Sequence, residues 1–520
     1  MALLRSASTV AAMTMISRVL GFVRDMLMAS VVGTGLIADA FVVAFRFPNL
    51  FRRLFAEGAF NAAFVPLFAR QLEGEGQPAA VRFAEEVLAV LLAFLIVLSA
   101  FAMLAMPLII YVLAPGFTDN TEKLDLTVQL TRVAFPYLTF MSLVALVGGI
   151  LNSLHRFTAA AAAPIILNIV LIAVLVFVLL SGWGAEPRTG FILVWGVSVA
   201  GLLQFLMLWI AMNKAGISLR LGKPKITAGV KRLVRLGVPG LIAGGITQIN
   251  LLVSTMIASL QDSAPSWLYY ADRIYQLPLG VIGIAIGVVL LPELARRLRA
   301  EDFVGVQSSQ NRALEVSLLL TVPSAIALMA IPHAIIHVLF ERGAFGSQDT
   351  QATAIALAAF AAGLPAFVMI KIFSPAYFAR EDTRTPMRFA LISVLVNIVG
   401  ALILFQFIAY IGVALATTVA GWINALLLAV TLSRRGDFVL DTRLRHALPR
   451  IIGASLAMGV ALLAIMHFAQ PIFDSNIWFI LRLLALGGVV ACGVAIYFGI
   501  LWLSGGLNFR ALRQSFSRKG

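Results

Sequence analysis

SRVLGFVRDMLMASVVGTGLIADAFVVAFRFPNLFRRLFAEGAFN, residues 17–61, has the length and apolarity of two membrane-crossing helices joined by a Gly-broken turn. It also carries Arg18, Arg24, Asp25, Asp39, Arg46, Arg52, Arg53 and Glu57. Each Arg or Asp near a bilayer centre opposes insertion by about 2.5–3.5 kcal/mol, so several such charges together oppose it by roughly 10 kcal/mol. Either the charges are buried against one another, or they line a water-filled cavity where they meet an ionic substrate.

The rest of the chain is of the same kind. Of its 520 residues 61% are hydrophobic and 12% charged, with a mean hydropathy of +0.98, whereas soluble domains carry about 25% charged residues. Apolar runs suited to a hydrocarbon core of about 30 Å recur along its length. The alternation of a membrane β-barrel is absent. Arg18, Arg24 and Asp25 interrupt the first apolar run, which therefore reads as a retained span rather than a signal peptide. The one cysteine, Cys492, lies in the last run, which rules out a disulfide framework.

The net charge of +15 is distributed by side. Connections rich in Arg and Lys, such as residues 214–235 and 434–445, alternate with acidic or neutral ones such as PGFTDNTEKLD from Pro115 and QDSAPS from Gln261. This positive-inside pattern predicts an all-α polytopic membrane protein of fourteen transmembrane helices with both termini cytoplasmic, and it argues against nucleic acid as the partner.

Two basic linkers divide the chain. The expected parts are a six-helix lobe over 1–213, a linker over 214–234 running partly as an amphipathic helix, and a second six-helix lobe over 235–433. A linker over 434–448, two further helices over 449–503 and a tail over 504–520 complete it. The lobes repeat: Asn168 matches Asn397, Tyr111 matches His337, Pro136 matches Pro365, and Arg46, Pro66 and Arg70 match Arg273, Pro292 and Arg296, always at an offset between 226 and 229. Six spans begin and end on one side, so the lobes are related by an axis along the membrane normal. Two such bundles around a midplane cavity form an alternating-access architecture.

Arg18 and Asp25 share a helix face, and Ser17 and Arg24 form a parallel pair. The second lobe supplies Asp272 and Arg273. One cavity lined by arginines of both bundles satisfies them all, and the guanidinium fork suits the oxygens of a diphosphate. The competing reading is that Asp25, Asp39, Glu57 and Asp272 neutralise the arginines in structural pairs. Pairing suits Arg46 and Arg53; substrate contact suits Arg18, Arg24, Arg52 and Arg273. His333, His337 and His467 read as interfacial. Lys371 and Arg482 either snorkel or, for Lys371, face the cavity. Asn168, Asn250 and Asn397, with Thr247 and Gln248, read as interhelical hydrogen-bonding groups or ligands of a coupling cation. No P-loop, HExxH, Cys-His metal spacing or GxSxG is present, so neither an ATPase nor a hydrolase is indicated, and no cofactor is expected.

The segments SRVLGFVRD, ADAFVVAFRFPNLFRRLFAEGAFNAAFVP, ADRIYQLPLGVIGIAIGVVLLP and AYFAREDTRTP make the chain resemble the lipid II flippase family, MurJ or MviN. That family belongs to the multidrug, oligosaccharidyl-lipid and polysaccharide exporter superfamily. The resemblance implies transport of an undecaprenyl-diphosphate-linked peptidoglycan precursor from the inner to the outer leaflet of the bacterial cytoplasmic membrane. It implies cavity arginines at Arg18, Arg24, Arg52 and Arg273, acidic positions at Asp39 and Asp272, and polar positions at Ser17, Asn49 and Glu57. It further implies a lipid-tail groove beside the last two helices, near Phe468, Phe473, Trp478 and Phe479. Lipid II, membrane lipids and, transiently, the wall-synthesis machinery are the partners expected, with membrane potential or an ion gradient as the drive. An exporter of another lipid-linked oligosaccharide or of a small amphipathic molecule is the alternative. A membrane glycosyltransferase or phosphatase would need a larger outer loop.

Overall fold

The computed structural model describes residues 2–53, 59–474 and 478–505. Among them are nineteen α-helices and a short 3-10 helix, with no strand beyond the isolated bridge Arg342–Phe345. In chain order they begin with α1 (Ala2–Val32), α2 (Leu36–Arg52), α3 (Ala59–Gly74), α4 (Gln77–Leu104), α5 (Met106–Leu113) and the 3-10 turn Pro115–Asp119. Next come α6 (Thr121–Ala134), α7 (Pro136–Ser153), α8 (Phe157–Leu180), α9 (Pro187–Lys214), α10 (Ala228–Ala258), α11 (Ala264–Arg299), α12 (Phe303–Ala330) and α13 (Pro332–Phe340). The remainder are α14 (Ser347–Ala361), α15 (Leu364–Phe378), α16 (Arg384–Ile408), α17 (Tyr410–Arg434), α18 (Thr442–Asp474) and α19 (Phe479–Leu503).

Proline explains most of the breaks. Pro107, Pro136, Pro332 and Pro365 each stand in the first turn of a new helix, α5, α7, α13 and α15, where a missing N–H costs nothing. At the α4–α5 break the Met103 carbonyl is taken by Arg132 Nε of α6 at 2.9 Å, which gives that intramembrane arginine a structural partner. Among the described residues ten helical runs are long and apolar enough to cross a membrane. The expected spans outside those ten are α1, α2 with α3, α10 and α11. Three of the four hold the charges that made residues 17–61 conspicuous and their counterparts Asp272 and Arg273.

The chain forms two compact units, Met1–Ser266 with Arg342–Gly346, and Trp267–Glu341 with Ser347–Gly520. In the first, α1 packs on α8, α8 and α7 on α9, and α2 on α6, around buried Phe64, Phe68, Phe117, Phe135 and Tyr137. This unit runs past residue 213, because α10 lies against α3, α4 and α5. In the second, α16 packs on α17, α12 on α15 and α18, and α18 on α19. Leu294, Leu314, Ile372, Phe373, Tyr377 and Leu432 lie at its core.

The repeat is visible in the caps. After α9 the Ile217 N–H bonds the Met212 carbonyl with Gly216 at φ 83°, and after α17 the Asp437 N–H bonds the Leu432 carbonyl with Gly436 at φ 74°. These are matching left-handed helix ends. In both units a glutamine then straps that glycine's carbonyl: Gln77 Nε2 holds Gly216 at 2.9 Å and Gln307 Nε2 holds Gly436 at 3.1 Å.

In the first linker residues 217–227 carry no regular secondary structure, and helix begins at Ala228, with the Thr227 hydroxyl accepting from the Val230 N–H. Gly222 and Pro224 disfavour helix there, and α4 offers better partners: Glu85 accepts from the Arg220 N–H at 2.8 Å and Glu86 from the Thr227 hydroxyl at 2.7 Å.

Candidate functional site

The buried charge nearest the middle of α1 is Arg24, 8% exposed, beside Asp25, 2% exposed. Arg24 Nε and Nη2 donate to Asp25 Oδ1 at 3.1 and 2.7 Å, and Nη1 donates to Asn168 Oδ1 at 3.0 Å. Asn168 comes from α8. It crosses α1 beside Gly21, where a Cβ would lie in ordinary contact with the Asn168 amide at 3.5 Å. The Asn168 amide donates back to the Ser17 carbonyl at 2.9 Å, with the Ser17 hydroxyl at 3.4 Å. Ser17, Arg24, Asp25 and Asn168 thus form one polar cluster, and Asn168 acts as the interhelical hydrogen-bonding group the sequence suggested. Arg18 is half-buried one turn away.

On α2 the residues split. Asn49 Oδ1 accepts from Arg52 Nε at 2.7 Å. Arg46 donates to the Thr255 hydroxyl of α10, a neutral partner rather than one of the carboxylates expected for it. Glu57 lies outside the described residues.

Asp39 pairs with none of the arginines. It is fully buried, and its carboxylate accepts from Lys123 Nζ at 2.7 Å, the Ser263 N–H at 2.9 Å, the Ser266 N–H at 3.1 Å and the Ser266 hydroxyl. Removing one partner of such a buried pair typically destabilises by about 3–5 kcal/mol. Sequence reasoning missed Lys123, which stands inside a connection read as acidic. The available signal was Asn120 three residues earlier, whose side chain caps α6 and marks Lys123 as a cation in a helix's first turn, where cations are disfavoured.

In the second unit Arg273 stacks over the Tyr269 ring, 4.6 Å from its centroid, and donates to the Tyr269 hydroxyl at 3.2 Å. Asp272 accepts from the Gln276 amide one turn on. His337 bonds Glu341 at 2.8 Å and the Phe473 carbonyl at 3.2 Å. Phe473 is buried, unlike Phe468 and Trp478, which are more than 80% exposed. Phe473 therefore packs inward and does not share the surface that the other two present.

Outside the spans, Asp382 bonds Arg435, the Thr385 N–H and the Thr385 hydroxyl, and the Arg435 hydrogen bond above all holds its carboxyl down at about 2. A cavity of about 330 Å³ beside α3 and α10 is lined by Ala62, Pro66, Leu67, Arg70, Arg232 and Leu236 among others, and by none of the expected site residues. Among the described residues no three of His, Cys, Asp and Glu are grouped so as to hold a metal ion.

The family model described as lipid II flippase MurJ matches residues 28–484. A probable lipid II flippase MurJ of Rhizobium tropici is 48% identical over 521 residues, spanning 100% of this chain and 97% of its own. A solved structure described as lipid II flippase MurJ in an inward closed conformation superposes with a TM-score of 0.76 at 26% identity, over 94% of this chain and 97% of that one. An inward-facing multidrug transporter of the MATE family shares the fold alone, with a TM-score of 0.65 at 14% identity, over 82% of this chain and 98% of its own.

Proposed function

The chain belongs to the lipid II flippase MurJ family, and from that premise we propose how its own residues carry the substrate. It is a lipid II flippase, a multi-pass membrane transporter and not an enzyme. In our reading it works in the bacterial cytoplasmic membrane with both termini cytoplasmic. Arg18, Arg24, Arg52 and Arg273 bind the diphosphate, together with Ser17 and Asn49.

The observation that carries this reading is the oxygen set around Arg24. Asp25 and Asn168 give each of the three guanidinium nitrogens an oxygen partner, as phosphate oxygens would. Asp25 thereby stands in for the substrate when the site is empty. A diphosphate brings more charge than one carboxylate and exchanges for it, which supplies the difference in affinity between states that alternating access requires. Release restores the Arg24–Asp25 pair and resets the carrier. Membrane potential acting on the arginine charge supplies about 2.3 kcal/mol per charge per 100 mV for that return.

The test is translocation in cells depleted of their own flippase and complemented with wild type, Arg24→Ala, Arg52→Ala or Arg273→Ala at equal membrane levels. Outer-leaflet lipid II is counted with an enzyme that cleaves it from outside. Each variant is expected to lose at least tenfold. Wild-type rates in all three would make the arginines structural.

A further inference from the structure

The Asp39 cluster contains a residue whose position only a moving part explains. Lys123 is 2% exposed, yet its ammonium has two carboxylate partners of opposite character. Asp39 at 2.7 Å is fully buried; Asp262 at 2.9 Å has a side chain 93% exposed. The Phe117 ring lies 4.4 Å from the same nitrogen and closes its remaining side. Asp39 and Lys123 come from α2 and α6, which pack together. Asp262, Ser263 and Ser266 come from the turn between α10 and α11 and from the first turn of α11.

That turn is held as a cap. Ser263 has φ 63°, and the N–H groups of Ser263 and Ser266 lie at the start of α11, where a helix has donors without internal partners. Both point at Asp39. A carboxylate of α2 therefore caps a helix whose later residues include Asp272 and Arg273. A buried carboxylate accepts most strongly while charged, and a buried cation beside it offsets the penalty of that charge. A lysine in the first turn of α6 opposes that helix's own dipole, so the position is unfavourable for α6 and favourable only for the clasp.

We propose that Lys123 is the positioning residue of a releasable clasp: it keeps Asp39 ionised as the acceptor for α11 and bonds Asp262 of the same turn directly. When the turn departs during transport, its serines and Asp262 leave while Lys123 and Asp39 remain paired on α2 and α6. The pair is ready to recapture α11 on the return, so the clasp breaks without stranding a charge. The inference rests on the transport cycle proposed above for its purpose, and on the structure alone for its contacts.

The experiment follows the clasp separately from lipid II. In a Cys492→Ser background, Ala264→Cys places a thiol at the start of α11, where the residue is fully buried. Ala334→Cys places one in α13, in the second unit, as a reference. A membrane-impermeant maleimide is applied to whole cells. Lys123→Met is expected to raise labelling at position 264 at least tenfold and at position 334 less than twofold. The paired variant Asp39→Asn with Lys123→Met leaves no unpaired buried charge; it is expected to insert normally and to label at 264 as fast as Lys123→Met. Parental labelling at 264 in the paired variant overturns the proposal, and so does equal acceleration at both positions, which would mean general loosening. If the parent labels as expected but does not translocate lipid II, the transport reading fails while the clasp stands.

Discussion

At the scale of single residues, the arrangement turns on which charges have a neighbour already waiting. Arg24 and Asp25 are adjacent in sequence, so their improbability inside an apolar helix is itself the signal that they matter, and both were legible from residues 17–61 alone. Lys123 and Asn168 were less so, since their meaning depends on partners 84 and 144 residues away. Asp382 supplies a prediction at this scale. Its folded carboxyl sits near 2 against an ordinary 3.8, held by Arg435, so its stabilising contribution is fully present above about pH 4 and is lost as pH falls through about 2. Asp382→Asn is expected to flatten the dependence of the thermal midpoint on pH across that window in detergent. A curve as steep as wild type would mean other carboxylates govern it.

At the scale of elements, two connections of the first unit meet through glycine. The Ala344 N–H bonds the Ser30 carbonyl at the end of α1 at 2.8 Å. Gly33 at φ 65° and Gly343 at φ 57° make that approach possible, for a Cβ on either would fall 2.3 or 2.2 Å from a backbone carbonyl oxygen. Gly343→Ala combines the left-handed penalty of about 1–2 kcal/mol with that collision. It is expected to lower the thermal midpoint and to expose residues 342–346 to protease, while Gly216→Ala, equally left-handed at φ 83° but with open space around it, costs the backbone term alone. Equal losses would show that the approach of the loop contributes nothing. Elements were legible where an apolar run or a proline set them, as at Pro136 and Pro365. The course of 217–227 was not, because its hydrogen bonds go to Glu85 and Glu86 on another helix.

At the scale of the whole molecule, the offset between Asn168 and Asn397 announced the repeat, and the paired straps of Gln77 and Gln307 display it. The sequence assigned residues 235–259, most of α10, to the second lobe, whereas α10 packs on α3, α4 and α5 of the first unit. The buried Asp39 has a further consequence, in the order in which the protein is made. Synthesis proceeds at about 5–20 residues per second, so Asp39 waits roughly 4–17 s for Lys123 and roughly 11–45 s for Ser263. During that interval the young α2 carries a naked carboxylate that bulk lipid rejects, and it has to be sheltered by the insertion machinery until its partners emerge. A nascent chain arrested before Lys123 is expected to be extracted from membranes by alkaline carbonate, and one arrested beyond Ser266 to stay. A contact begun near the first residues is then completed only when about half the chain has been made.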